Sequence, residues 1–204
     1  MTKPAMSDQQ LIAYSEQHLL HELSMFWELA EIVPRREKDS CEYVALIESF
    51  ATHLRNLIEF FFFVKKGGYV RARHFFEGTV EWPTKPTADF QKLLDRANNE
   101  VSHLTVWRVS SNKAGREWYT HKIREQLEPI MKDFADKASH KKLHHKVREF
   151  LQLQPENTQK WIADNVTHAN VAVSSLMGLV VLPDSGASTQ TQIVHKFDLI
   201  KPEP

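Results

Sequence analysis

Apolar residues recur along most of this chain at spacings of three, four and seven, the period of amphipathic helices. Ser7-Asp8-Gln9-Gln10 has the form of a capping box, and Ile12, Leu19, Leu23, Phe26, Ala30 and Val33 follow as one stripe up to Pro34. Asp39 or Ser40 is placed to cap a second helix, whose seam runs through Tyr43, Ile47, Phe50, Leu54, Leu57, Phe61 and Val64. Val44, Leu46, Ile58, Phe60, Phe62 and Phe63 widen that seam to nearly the whole circumference, which predicts the central helix of a bundle, ended by Gly67-Gly68.

Residues 69–86 read as a connection pinned by Phe75, Phe76 and Trp82 and broken by Gly78, Pro83 and Pro86. A third helix is predicted over 88–109, with Phe90, Leu94, Ala97, Val101 and Leu104 inward, and a turn over 110–115. The period resumes from Arg116 through Trp118, Ile123, Leu127, Ile130 and Phe134, with Pro129 expected to kink the run or start a new helix. A further helix is predicted over 139–153, and one more over 157–177, before loop composition at 183–191. The expected fold is all-α: an up-and-down bundle over 1–153 with a loosely attached C-terminal extension over 154–204.

Composition narrows the function classes. Lys+Arg and Asp+Glu are both 26, so no global positive field supports generic nucleic-acid binding, although local patches remain open. Cys41 is the only cysteine, which fits a reducing compartment. The longest apolar stretch, 171–182, is shorter than the ~20 residues a membrane-spanning helix needs. A soluble, cytoplasmic protein without a membrane segment is the expectation. No Gly-rich phosphate loop, G-x-S-x-G, H-E-x-x-H or C-x-x-C is present, so no cofactor and no metal is predicted. His18, His21 and Glu22 cluster on the first helix, and His140 and His144 lie four apart, but converging third and fourth metal ligands are not identifiable.

Two polar segments stand out against this background. In the third helix Arg96 and His103 are seven apart and return to within roughly 20° of one direction in α geometry. Asn99 and Glu100 lie near the same line, beside the apolar stripe. A guanidinium holds phosphate bidentately and an imidazole moves a proton near neutral pH, so the pair could promote attack of a ribose 2′-hydroxyl on its neighbouring phosphate. The same residues could equally cap carbonyls or pair with Glu100. In the second helix His53 and Asn56 share a face beside Arg55, where an interhelical polar network with the third helix is plausible as structure or as support for the site. Arg116 and His121 are the competing Arg–His pair, but five helical residues set them about 140° apart.

An Arg separated from a His by four to six residues on a helical bundle resembles the HEPN superfamily of metal-independent ribonucleases and their inactive relatives. The resemblance covers about residues 52–118. It implies cleavage to a cyclic phosphate by a toxin- or defence-type endoribonuclease, with His103 in proton transfer and Arg96 on the phosphate. Asn99, Glu100, His53, Arg55 and Asn56 would then support the pair. It also implies a homodimer that brings two copies of the motif together, and the toxin-type reading leaves room for a protein partner such as an antitoxin. The dense basic run 137–148 contains Lys141, Lys142, Lys146 and Arg148. It reads either as a solvated helix face or as an RNA-backbone contact that weakens with salt. The alternatives from other classes are a non-catalytic helical module binding a protein or nucleotide, and a His-based metal-binding bundle.

Overall fold

The computed structural model describes residues 6–38, 40–62, 69–102 and 117–166, without the side chains of Glu100 and Ser102. Among the described residues the chain is helical and has no strand. Its helices are α1 (Asp8–Tyr14), α2 (Leu20–Ile32), α3 (Cys41–Phe62), α4 (Ala88–Arg96), α5 (Thr120–Lys137), α6 (His145–Gln152) and α7 (Pro155–Asn165). The all-α bundle expected from the apolar period is what forms.

The capping box forms as written: Ser7 Oγ accepts from the Gln10 backbone N–H, and Gln10 Oε1 accepts from that of Ser7. One π turn, Ser15–Leu19, joins α1 to α2. That wider turn takes up an extra residue, so the buried seam begins at Leu11 rather than Ile12 and passes through Ser15 before Leu19 and Leu20. Ser15 is fully buried and partnered: its hydroxyl donates to the Ile12 carbonyl and accepts the His144 backbone N–H at 3.0 Å.

α2 is buried over most of its circumference, from Leu20 through Leu23–Trp27 to Leu29 and Ala30, so it shares the centre of the bundle with α3. Phe26 and Phe50 stack between the two helices at 5.2 Å. α5 closes on α2 through Thr120 Oγ, which donates to the Ala30 carbonyl at 2.9 Å. Arg124 joins that contact by pairing with Glu31 and covering the Trp27 ring.

Phe134 on α5 anchors the aromatic core, with the rings of Phe60, Phe61, Phe75, Phe76 and Trp82 all within 6.2 Å. The connection after α3 is therefore pinned as expected. Trp82 Nε1 also donates to the Phe61 carbonyl, satisfying a group the end of α3 would otherwise leave open.

Three predicted elements differ in extent. α5 continues unbroken through Pro129, because that ring lies on the solvent face, where water can take the Glu125 carbonyl it leaves unbonded. The helix expected over 139–153 begins only at His145. Ser139 instead ties back to the connection, its N–H on the Phe75 carbonyl and its hydroxyl on Glu77. α7 starts on Pro155, suited to a first helical turn, and ends at Asn165 with Val166 extended. Trp161 and Ile162 are buried, and Trp161 packs on Phe150 at 5.5 Å, so this part of the predicted extension belongs to the core.

Candidate functional site

Thr87 caps α4, which carries Phe90 and Leu94 inward and ends at Arg96. The helix then loosens into a π turn, Ala97–Ser102. In such a turn bonds run to the fifth residue, so a uniform 100° step from Arg96 to position 103 does not apply. The Arg96 guanidinium lies 4.3 Å above the Trp118 ring, itself edge-on to Phe50, so Arg96 sits at the border of the core. Asn99 is half-buried on the turn. His103, the Glu100 side chain and Arg116 lie outside the described residues, so neither Arg–His pair is on view as a pair.

The polar residues of α3 do come together with a partner, but it is on α2. Glu22 Oε2 is 2.8 Å from His53 Nδ1 and accepts from Asn56 Nδ2 at 3.2 Å. The His53 side chain is only 13% exposed, and its ring stands edge-on to His21. Burial pushes the Glu22 carboxyl up, but the hydrogen bond and charge of His53, the Asn56 bond and nearby His21 together hold it below its ordinary value. Arg55 turns along its own helix to Glu59. Among the described residues no three His, Cys, Asp or Glu side chains are arranged to hold a metal.

This network borders a cleft of about 260 Å3, walled by Tyr14, Leu57, Phe60, Tyr69 and Val70 and carrying Glu22, Asn56, Glu59 and Arg71. Arg71 is its most unusual member. The residue is only 6% exposed, and among the described residues its Nε and Nη2 have no hydrogen-bond partner and no solvent access. Those two nitrogens lie along one edge of the guanidinium, the edge that meets a carboxylate or phosphate with two parallel N–H bonds. Burial lowers the Arg71 pKa, and the charge of Glu59 partly restores it. Burial also raises the Tyr14 pKa, helped by Glu22 and opposed by Arg71. The Tyr69 ring lies over the Arg71 guanidinium at 4.8 Å.

The backbone holds Arg71 in place through the short 3-10 turn Ala72–Phe75, since its N–H donates to His74 Nδ1 at 3.1 Å. Its neighbours Val70 and Ala72 and the Phe75-Phe76 pair were the available sequence signal, an Arg set into an otherwise apolar anchor. In sequence it is one of a small basic cluster with Lys65, Lys66 and Arg73, which does not set it apart.

The basic run divides by function. Arg148 Nη1 and Nη2 donate to the Ala135 and Ala138 carbonyls at the end of α5, and Lys142 Nζ donates to the Phe76 carbonyl at 2.7 Å. Lys141 is exposed and Lys146 half-exposed, and neither ammonium is engaged among the described residues. No described helix is long and apolar enough to cross a membrane. Compared with known proteins, the chain matches no family model, no curated protein and no solved structure.

Proposed function

We propose that this chain is a helical binding module whose cleft between α1, α2, α3 and residues 69–71 takes a small ligand bearing an anionic group. One observation carries the reading: a buried guanidinium whose bidentate edge has no hydrogen-bond partner among the described residues and no access to solvent. Buried donors are almost always satisfied in folded proteins, and an unmet one points to an occupant or a strained functional group. The cleft supplies the space, and Tyr14 and Phe60 supply apolar walls against which a ligand body can pack. A thermal-shift screen of small carboxylates, amino acids and inorganic phosphate tests it on wild type and Arg71→Met. A ligand at 100 times its Kd should stabilise wild type by about 2.7 kcal/mol and leave the variant unmoved. No shift with any of them rejects the reading.

The second reading is the metal-independent endoribonuclease, with Arg96 on the phosphate, His103 moving the proton, and a homodimer pairing two such motifs, held in check by an antitoxin-like partner. It is favoured by the π turn that begins directly after Arg96, because such turns frequently occur at functional sites. RNA cleavage in EDTA, with Arg96→Ala and His103→Ala beside wild type, decides it. Cyclic-phosphate ends lost in both variants support this reading, and cleavage unchanged by either substitution rejects it. Under this reading Lys141 and Lys146 are the members of the basic run with ammonium groups left for RNA.

A further inference from the structure

Resting on the cleft reading, we infer that the ligand is a zwitterion of α-amino-acid size, its carboxylate on the Arg71 edge and its ammonium on Glu22. Three features select this class over a plain anion. The first is charge. Besides Arg71 the cleft carries two carboxylates, Glu22 and Glu59, so a phosphate dianion would meet more repulsion than attraction. A ligand with one charge of each sign matches both ends.

The second is the unequal state of those carboxylates. Glu59 is already engaged by Arg55 on its own helix. At Glu22 the His53 and Asn56 contacts both fall on Oε2, which leaves Oε1 able to accept from an ammonium. His53 and Asn56 then act as positioning residues, fixing the carboxylate's rotamer before a ligand arrives.

The third is size. About 260 Å3 falls below the ~300–1,000 Å3 typical of drug-sized ligands, which suits a molecule of about ten heavy atoms. Leu57, Phe60, Val70 and Tyr14 would line the side chain's place, favouring an apolar one. Because Nε and Nη2 of Arg71 are closed to solvent, the carboxylate reaches them only when a neighbouring side chain shifts, and the Tyr69 ring lies against the guanidinium face. That ring belongs to a residue 57% exposed, so it has room to turn outward.

Calorimetric titration of the full chain tests this with the common L-α-amino acids, propionate, propylamine and inorganic phosphate as probes. At least one apolar amino acid should bind wild type, and propionate and propylamine should bind at least tenfold more weakly. Glu22→Gln, which keeps an oxygen for His53 and Asn56, should weaken the amino acid at least tenfold and leave propionate unchanged. Arg71→Met should abolish both, with folding of each variant checked by circular dichroism. Should propionate or phosphate bind wild type as tightly as any amino acid and fail on Arg71→Met, the cleft reading stands and the zwitterion inference falls. An amino acid indifferent to Glu22→Gln overturns the inference in the same way. If none of the probes binds folded wild type, both fall.

Discussion

Arg148 and Arg71 are both arginines drawn into the protein, and they meet opposite fates. At the corner of α5 and α6, Arg148 closes the end of a helix by donating from both terminal nitrogens to the Ala135 and Ala138 carbonyls. In the cleft beside α3, Arg71 is more deeply buried, yet two of its nitrogens have no hydrogen bond among the described residues. At the first corner only the Arg148 Nε is left without a partner among the described residues. At the second, the whole edge formed by Nε and Nη2 is open. Charge brought out of water is costly unless it is paired, so a guanidinium held this far inside with an open edge should contribute less stability than one that closes a helix.

The sharpest way to break the contrast is to remove each guanidinium in turn. Arg148→Ala should cost about 3 kcal/mol, because two hydrogen bonds from a charged donor vanish and the last carbonyls of α5 lose their partners. Urea unfolding would register this as a lower midpoint at unchanged slope. Arg71→Met should move the other way and stabilise the chain by about 1 kcal/mol, since a desolvated charge is exchanged for an apolar side chain of similar length. The loss of its contact with Tyr69 keeps that gain small. A destabilisation at position 71 as large as that at 148 would mean the two corners do the same structural work, and the cleft reading would lose its physical basis.

The bundle itself was legible because period, caps and aromatic anchors are local signals. Ser7 and Gln10, Trp82 in the connection, and the Phe60–Phe62 run each do in the structure what their spacing implies. The π turns were not legible. Moving the seam from Ile12 to Leu11 and bringing Ser15 under His144 depends on a tertiary bond 129 residues away in sequence. The site was half legible: His53 and Asn56 do form an interhelical network, but with Glu22 on α2, which the sequence offered only as a metal ligand. Arg71 was not legible, because nothing in a one-dimensional pattern distinguishes a solvated arginine from a buried one. Its environment is assembled from α1, α2, α3 and the connection together.

The smallest expected effect comes from acid, and it touches both corners through one histidine each. His144 caps α6 by accepting the Lys146 N–H on Nδ1, and His74 accepts the Arg71 N–H on its own Nδ1, so both rings must be neutral at that nitrogen. Burial is the largest cause lowering both pKa values; neighbouring cations add to it at His74, while Glu16 partly opposes it at His144. When a folded pKa lies below the unfolded value of about 6.5, the unfolded chain takes up the proton first. Stability from these bonds is therefore complete above pH 6.5 and declines as pH falls through the folded pKa values. Glu22, held below its ordinary value by His53 and Asn56, adds a further loss at lower pH. Melting temperatures between pH 7.5 and 5 should fall by a few degrees, and His144→Asn, which keeps a capping oxygen that does not titrate in this range, should flatten the part owed to the α6 corner. The cleft corner has a second readout. Protonating His74 loosens the backbone that holds Arg71, so affinity for a cleft ligand should decline over the same range in wild type and in His144→Asn alike. If the α6 substitution flattened the binding profile as well, the two corners would be coupled, and treating one as structure and the other as site would fail.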